Sequence, residues 1–359
     1  MSQETKWTLY SRNEEAWEAM LADCAKAEKS IALEQFIFVN DDFGKKLLDV
    51  CAERAAHGIE VRFLWDAAGS FTLWGSSIAA ELKTKGIKLL FWRTLIPGYF
   101  KLPSLRSWFL RNHRRTLAID GKVGYTGSIC VSDHTKDWRD ANVRVEGAVA
   151  RQMENAFDRM WDRALHSRPL AKKLHYRGAD FRYLTNYPSP GRRHVYSAMV
   201  QAIRQARKHI YLTTPYFVPT HRLIRLLKKA AEAGVDVRIV LPEKSDYYAV
   251  DLGARSYFNT LMESGARIFL YQGAMMHGKT IAVDYEWASV GSMNWDRISL
   301  LYNFEANLVS FDPEFARAVA QQLIQDLASC REVTLPQWRR RFFIEKIPEF
   351  LIKFVRKLL

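Results

Sequence analysis

Apolar and polar positions recur along this chain in blocks that appear twice. Ser30–Asp41 (SIALEQFIFVND) is an apolar run closed by turn formers and predicts a buried strand, and His209–Thr220 (HIYLTTPYFVPT) is a second run of the same kind. Each is followed by apolar residues at helical spacing (DFGKKLLDVCAERAAH and HRLIRLLKKAAEA). A glycine stop comes next (Gly58, Gly234), then a β-branched run (Ile59–Trp65, Val235–Leu241). Strand, helix, strand predicts a βαβ unit, with parallel pairing in a covered sheet. KTKGIKLLFW and MESGARIFLY add a helix end, a glycine and a further strand to each block. Farther on, TLAID and TIAVD alternate as outgoing strands, GK and YE supply turns, and VGYTGS and WASVGS return. WRDANVRVEG and YNFEANLVSF predict another strand each, followed by helices over ARQMENAFDRMWDRAL and PEFARAVAQQLIQDLAS. The expected architecture is α/β, with two pseudo-symmetric α/β/α halves, each a mixed β-sheet flanked by helices. The expected boundaries are 1–165 for the first half, 166–180 for a polar, basic linker, 181–330 for the second half and 331–359 for a basic tail.

The repeat carries chemistry as well as hydropathy. HRRTLAIDGKVGYTGSIC starts at His113 and HGKTIAVDYEWASVGSMN at His277. A constant 164 positions (277 less 113) also relates Asp120 to Asp284, Gly127 to Gly291 and Ser128 to Ser292. A polar pattern held in register over this span identifies a duplicated architecture.

The chain has 359 residues, 48% of them hydrophobic and 26% charged, which is ordinary for a globular protein of about two domains. Its formal net charge of +14 is not ordinary and points to an anionic partner: a membrane surface, nucleic acid or a phosphorylated substrate. Four cysteines, Cys24, Cys51, Cys130 and Cys330, lie far apart without a CxxC pair. They predict neither a zinc site nor a disulfide framework, and fit reduced thiols in a cytoplasmic protein. The polar first residues show no secretory signal, and no stretch reaches the ~18 uninterrupted apolar residues of a membrane span.

Two histidines can divide a substitution at phosphorus, one attacking while the other protonates the leaving group. Arg115 and Lys279 place fixed positive charge two residues after each histidine, suited to a phosphoryl group. Ser128, Ser292 and Asn294 can donate hydrogen bonds to non-bridging oxygens. A nucleophilic histidine needs its other ring nitrogen held by an acceptor, and Asp140 and Glu305 occupy matching places after the two motifs. Asp120 and Asp284 precede turns and read as structural support for the motif. No metal cluster is visible, and the chemistry requires none.

The second copy, with His277, Lys279, Asp284, Gly291, Ser292 and Asn294, matches the HxKx4Dx6GSxN pattern in full. The chain thereby resembles the phospholipase D superfamily. Its flanks LEQFIF, PYFVP, WRDANVRVEG and SVGSMNWDRISLLYNFEANL look most like bacterial cardiolipin synthases. The resemblance covers residues 28 to 330. It implies two phospholipase D-like halves with the active site between them, a covalent phosphohistidine intermediate, no cofactor and no metal. It further implies His113 as nucleophile, His277 as general acid, Glu305 orienting His113 and Asp140 orienting His277. The first copy departs from the pattern: Arg115 stands where the family has Lys, and Cys130 where it has Asn. The reading is a phosphatidyltransferase that moves a phosphatidyl group from phosphatidylglycerol or a related phospholipid to a lipid hydroxyl. Hydrolysis by water, phosphodiesterase or nuclease action, and an impaired membrane-binding scaffold remain open alternatives.

In the last stretch, Ile347, Phe350, Leu351, Phe354, Val355 and Leu358 fall on one helical face. Arg339, Arg340, Arg341, Lys346, Lys353, Arg356 and Lys357 outnumber Glu345 and Glu349 there. A basic amphipathic tail fits an anionic membrane surface better than a nucleic acid, and predicts a peripheral protein on the inner face of the cell membrane. The aromatic, basic segment Phe91–Arg115 is a second candidate for lipid contact.

Overall fold

The computed structural model describes residues 5–93, 110–166, 179–342 and 347–352. In the first half, β1 (Trp7–Arg12), β2 (Ser30–Gln35), β3 (Glu60–Asp66), β4 (Lys88–Trp92), β5 (Thr116–Ile119), β6 (Val123–Gly127) and β7 (Arg139–Glu146) form one sheet. Their order across it is β1-β7-β6-β5-β2-β3-β4. The second half contains β8 (Phe181–Asn186), β9 (His209–Thr213), β10 (Phe217–Val218), β11 (Asp236–Pro242), β12 (Arg267–Tyr271), β13 (Thr280–Val283), β14 (Trp287–Gly291), β15 (Trp295–Asp296), β16 (Glu305–Ser310) and β17 (Cys330–Val333). Apart from the small β10–β15 ribbon, these make an eight-stranded sheet in the order β17-β12-β11-β9-β13-β14-β16-β8. Strand for strand the orders agree, with β17 as an addition at one edge.

The βαβ expectation holds in both halves. β2 pairs parallel with β3 (Ile31 opposite Val61), and β9 with β11 (Ile210 opposite Val237). The motif hairpins then run antiparallel: Ile31 faces Ile119 of β5, and Leu212 faces Ile281 of β13. The starts of β5 and β13, where the motif histidines enter, therefore lie at the carboxyl ends of the parallel strands. Helix starts follow local chemistry. The Asp41 carboxylate accepts from Gly44 N (3.2 Å) at the head of helix Asp42–Ala56, and Asp312 accepts from Phe315 N (2.7 Å) at the head of Pro313–Asp326.

Three cores result. Helices Asn13–Ala25 and Asp42–Ala56 cover one face of the first sheet around Met20, Leu47, Phe63 and Trp65. Helices His194–Gln205, His221–Glu232 and Tyr248–Glu263 cover the corresponding face of the second around Leu212, Leu227, Ile239 and Phe258. The third core is shared: Val143, Met153 and Phe157 from the first half pack in one cluster with Tyr183, Ala282, Phe315 and Val319 from the second. Helices Ala148–His166 and Pro313–Asp326 thus lie where the halves meet, and burial of this common layer fixes one half against the other.

The structure differs from the sequence expectation at several places. The apolar run from Ser30 is a strand only to Gln35, and the remainder loops towards the site, bringing Phe36 against His113. The first strand and helix, β1 and Asn13–Ala25, carry no period strong enough to have been predicted. The expected tail begins earlier as structure: β17 pairs antiparallel with β12 (Tyr271 opposite Cys330), and Trp338 of the short helix Leu335–Arg339 packs on Phe258 (4.9 Å between ring centroids). An otherwise open sheet edge captures the chain there. Residues 167–178 of the linker, 94–109 of the aromatic basic segment, and 343–346 and 353–359 of the tail lie outside the described residues. Among those described, no helix is long and apolar enough to cross a membrane, and all four cysteines are free thiols.

Candidate active site

Each half contributes the same pieces. A buried segment enters β5 or β13 carrying a histidine and, two residues on, a cation: His113 with Arg115, His277 with Lys279. The hairpin then turns at Asp120 or Asp284, both in the left-handed region (φ 56° and 55°) that Asp tolerates in turns. Each carboxylate accepts three backbone N–H bonds from the residues that lead into the neighbouring parallel strand. Asp120 takes Glu28, Lys29 and Ser30 (2.9, 2.7 and 2.8 Å), and Asp284 takes Arg207, Lys208 and His209 (2.8, 2.8 and 2.9 Å). Besides forming the turn, these aspartates pin the hairpin to the sheet, at its end away from the histidines.

The return strands end in Gly-Ser. A Cβ on Gly127 would come within 2.4 Å of Ala141 O and Asn142 Oδ1, and one on Gly291 within 2.4 Å of Asn307 Oδ1. Only glycine lets the backbone pass this close, and the asparagines use the approach to accept from Ile129 N (2.8 Å) and Met293 N (3.2 Å). The serines that follow do not present themselves to a phosphate. Ser128 Oγ donates to Ala141 O (3.2 Å) and accepts from Ala141 N (3.0 Å). Ser292 Oγ donates to Glu305 Oε2 (2.5 Å) and accepts from Ala306 N (3.0 Å). Both are fully buried, so the expectation of direct phosphate contact is corrected to support of the carboxylate strand. Asn294 turns its side chain towards Asp296, which caps the helix Arg297–Leu301.

The histidines are anchored across the halves. His113 Nδ1 lies 3.0 and 3.1 Å from the Glu305 carboxylate oxygens, and His277 Nδ1 lies 2.8 Å from Asp140 Oδ1. Backbone bridges impose this exchange. His113 N donates to Phe304 O and Phe304 N to Arg111 O (2.9 Å each). His277 N and Gly278 N donate to Arg139 O (2.9 and 3.0 Å), while Arg139 N donates to Met275 O (2.9 Å). The residue before each carboxylate is thus stitched to the segment bearing the opposite histidine. Phe36 and Trp138 stand edge-on to His113 and His277, with centroids 4.9 and 4.8 Å away.

Several residues that complete the site have no place in the motif. Asn13 Nδ2 donates to Asp140 Oδ2 (2.8 Å) from the first helix, and Ser299 Oγ donates to Glu305 Oε1 from the other half. The approach to His113 is clamped by two buried ion pairs. Arg111 Nε meets Asp66 (3.0 Å) and Arg114 meets Glu34 (3.1 Å), with Asn112 bonded to both acids. An acid within the apolar run SIALEQ was the available signal, because a buried carboxylate requires a partner.

Electrostatics separate the two centres. Burial, then Arg115 and Lys279, push His113 well below the ordinary histidine value. Burial and Lys279 take His277 down to about 4, against the pull of Asp140. Burial and Arg115 take Lys279 down to about 7. Burial pushes Glu305 up to about 8 despite the hydroxyls of Ser292 and Ser299. Burial would raise Asp140 too, but His277, Lys279 and Ser128 outweigh it and hold that carboxyl below its usual range. Arg115 Nη2 lies 3.1 Å from His113 Nε2 and 3.6 Å from Cys130 Sγ, while its Nε and Nη1 are buried without a hydrogen-bond partner. Lys279 Nζ instead donates to the backbone carbonyl of His277 (2.8 Å). Two cations crowded into a closed space, one with orphaned donors, make a site whose charge an anion balances. Among the described residues, no three His, Cys, Asp or Glu side chains converge as they would to hold a metal ion.

Residues 20–161 and 199–327 match the family described as Cardiolipin synthase, PLD-like domain. The chain belongs to that family. It is 33% identical over 375 residues to a cardiolipin synthase of Clostridium perfringens, an alignment covering 98% of this chain and 76% of the relative. It is 30% identical over 373 residues to a cardiolipin synthase of Listeria monocytogenes, covering 100% and 76%. The crystal structure of phosphatidylserine synthase from Haemophilus influenzae has the same fold, with a TM-score of 0.76 at 14% identity over 98% of this chain and 92% of that one. Membership makes the chain a phosphatidyltransferase of the phospholipase D superfamily.

Proposed function

We propose that this protein transfers a phosphatidyl group from phosphatidylglycerol, or a related phospholipid, to the hydroxyl of a second lipid through a phosphohistidine on His113. The observation that carries the proposal is the exchanged anchoring: each histidine is held at Nδ1 by an acid of the other half, which leaves Nε2 as the nitrogen each ring has for a shared substrate phosphate. Arginine only donates, so the Arg115 contact requires a lone pair on His113 Nε2 and puts the proton on Nδ1, facing Glu305. That is the tautomer of a nucleophile. A phosphoryl oxygen is a stronger acceptor than an imidazole nitrogen, so the substrate draws off the guanidinium and frees the attacking lone pair.

In the first step His113 Nε2 forms an N–P bond as the P–O bond to the departing glycerol breaks, and that alkoxide takes the proton from His277 Nε2. In the second step the lipid hydroxyl gives its proton to His277, forms a new P–O bond, and returns the N–P electron pair to His113. A neutral His277 is a poor acid, but a phosphodiester beside Lys279 and Arg115 offsets the cations that depress it, so binding itself raises its pKa. Purified protein incubated with phosphatidylglycerol in mixed micelles with EDTA, beside His113→Ala, tests the reading by mass spectrometry. Cardiolipin and glycerol from the native protein alone support transfer. Phosphatidic acid as the only lipid product would make water the acceptor and replace it.

A further inference from the structure

The end of the molecule where His113 and His277 enter the sheets also carries a set of exposed aromatic rings. In the first half the connection after β3 holds Phe71, which is 57% exposed; in the second the connection after β11 ends in Tyr247, 59% exposed, and the helix Tyr248–Glu263 opens with Tyr248, 67% exposed. β3 and β11 are parallel to β2 and β9, so both connections emerge at the carboxyl ends of the parallel strands, where His113 and His277 enter. The first connection begins next to Asp66, whose carboxylate holds Arg111 and Asn112 beside His113. Tyr302, 44% exposed, adds a fourth ring three residues before Glu305. At the opposite end of the sheets Tyr285 and Phe311 are less exposed, Tyr285 lying against His209 (4.0 Å) and Phe311 under Arg182 (4.5 Å), while at the catalytic end Phe71 has Trp74 (6.5 Å) and Tyr247 has Tyr216 (5.6 Å) beside it.

We propose that Phe71, Tyr247 and Tyr248 form a docking rim that seats the catalytic end of the protein on a phospholipid bilayer. The inference rests on the transferase reading, which supplies the geometric need. His113 is only 8% exposed, so a diacyl lipid brings its phosphate to the ring while its chains stay in the bilayer only if the cleft faces that bilayer. The tyrosine rings, with their polar tips, favour the level of the headgroups, and the phenylalanine ring favours the apolar layer beneath it. The net charge of +14 adds attraction to an anionic leaflet without choosing which end turns towards it; the rings make that choice. The rim shares no residue with the basic C-terminal segment, so substitutions in the rim leave that segment's sequence unchanged.

The test compares the full chain with Phe71→Ser/Tyr247→Ser/Tyr248→Ser and with a far-end control, Tyr285→Ser/Phe311→Ser. Sedimentation with vesicles of phosphatidylglycerol and phosphatidylethanolamine measures binding, and monomeric dihexanoyl phosphatidylglycerol measures turnover without a bilayer. Three rings each withdrawing on the order of 50 Å² from water lead us to expect at least about a tenfold loss of vesicle binding in the rim variant. Its turnover of the short-chain lipid stays within about twofold of the native protein, which also shows that it folds, and the control binds as the native protein does. Native-like vesicle binding by the rim variant, or equal losses in both variants, would overturn the proposal. So would unchanged vesicle binding with loss of a concentration-dependent dimer, which would assign the rim to a second copy of the chain. Rim-dependent binding by a native protein that turns over neither lipid keeps the rim and removes the transferase reading.

Discussion

The two histidine centres share backbone, register and anchoring, yet they differ in charge. At His113 the anchoring acid, Glu305, is pushed up to about 8, and the partner cation sits on Nε2 of the ring. At His277 the anchoring acid, Asp140, is held below its usual range, and the cation reaches past the ring to a backbone carbonyl. Duplication therefore produced a frame in which equivalent places acquired different proton chemistry. The difference follows from neighbours: both acids are fully buried, but at Asp140 the attraction of His277 and Lys279 and the hydroxyl of Ser128 outweigh burial, whereas at Glu305 the hydroxyls of Ser292 and Ser299 do not. Environments that drive paired groups apart are how one site supplies both a nucleophile and an acid.

The largest effects lie on the histidines. His113→Asn and His277→Asn should each lower phosphatidyl transfer by at least about 10⁴-fold, measured as product formation under saturating lipid. The comparison breaks if either variant retains substantial turnover. Next come the acids. Glu305→Gln and Asp140→Asn should each lower kcat by roughly 10²–10⁴, with smaller effects on KM, because they hold the ring rather than the lipid.

The two acids should separate in stability against pH. The folded pKa of Glu305 is raised, so its contribution is full below about 4.5 and declines as pH rises towards about 8. Glu305→Gln should remove that decline in denaturation midpoints taken across this window. Asp140 is depressed, so its contribution is present above the ordinary carboxylate range and is lost in acid, and Asp140→Asn should leave the neutral-to-alkaline slope unchanged. A common slope change in both variants would erase the distinction between the centres.

A smaller effect is expected at His277 itself. Its pKa of about 4 in the free protein should rise when inorganic phosphate or vanadate occupies the cleft, as followed by NMR of labelled histidine. An anion favours the protonated ring, so a fall or no change would contradict the charge account. The smallest effect on chemistry belongs to the hairpin aspartates. Asp284→Ala should cost about 2 kcal/mol of stability through three lost N–H acceptors, with activity per folded molecule kept within about threefold.

Much of this was legible in the chain. The period of the apolar runs placed the βαβ units, and the constant offset between motifs announced two halves before any contact was known. The residues with catalytic types were visible too, because His113, His277, Asp140 and Glu305 stand at matched places. What the pattern hid was direction. A serine after glycine reads the same whether its hydroxyl faces a phosphate or a carboxylate, and only the strand geometry assigns Ser292 to Glu305. Asn13 and Ser299 were hidden for another reason: their partners, Asp140 and Glu305, are set by the tertiary packing of short helices whose sequences carry no chemical signature. The sequence shows Arg115 and Cys130 as departures in the first motif but not that they meet: the Arg115 guanidinium contacts both His113 Nε2 and Cys130 Sγ.

The most direct test of the central claim is to trap the intermediate. Turnover of phosphatidylglycerol is quenched under conditions that preserve N–P bonds, and peptides from the native protein and from His277→Asn are mapped by mass spectrometry. The account predicts a phosphatidyl adduct on the peptide carrying His113, and none on that carrying His277. An adduct on His277, or sustained transfer by a protein that never shows one on His113, would contradict it.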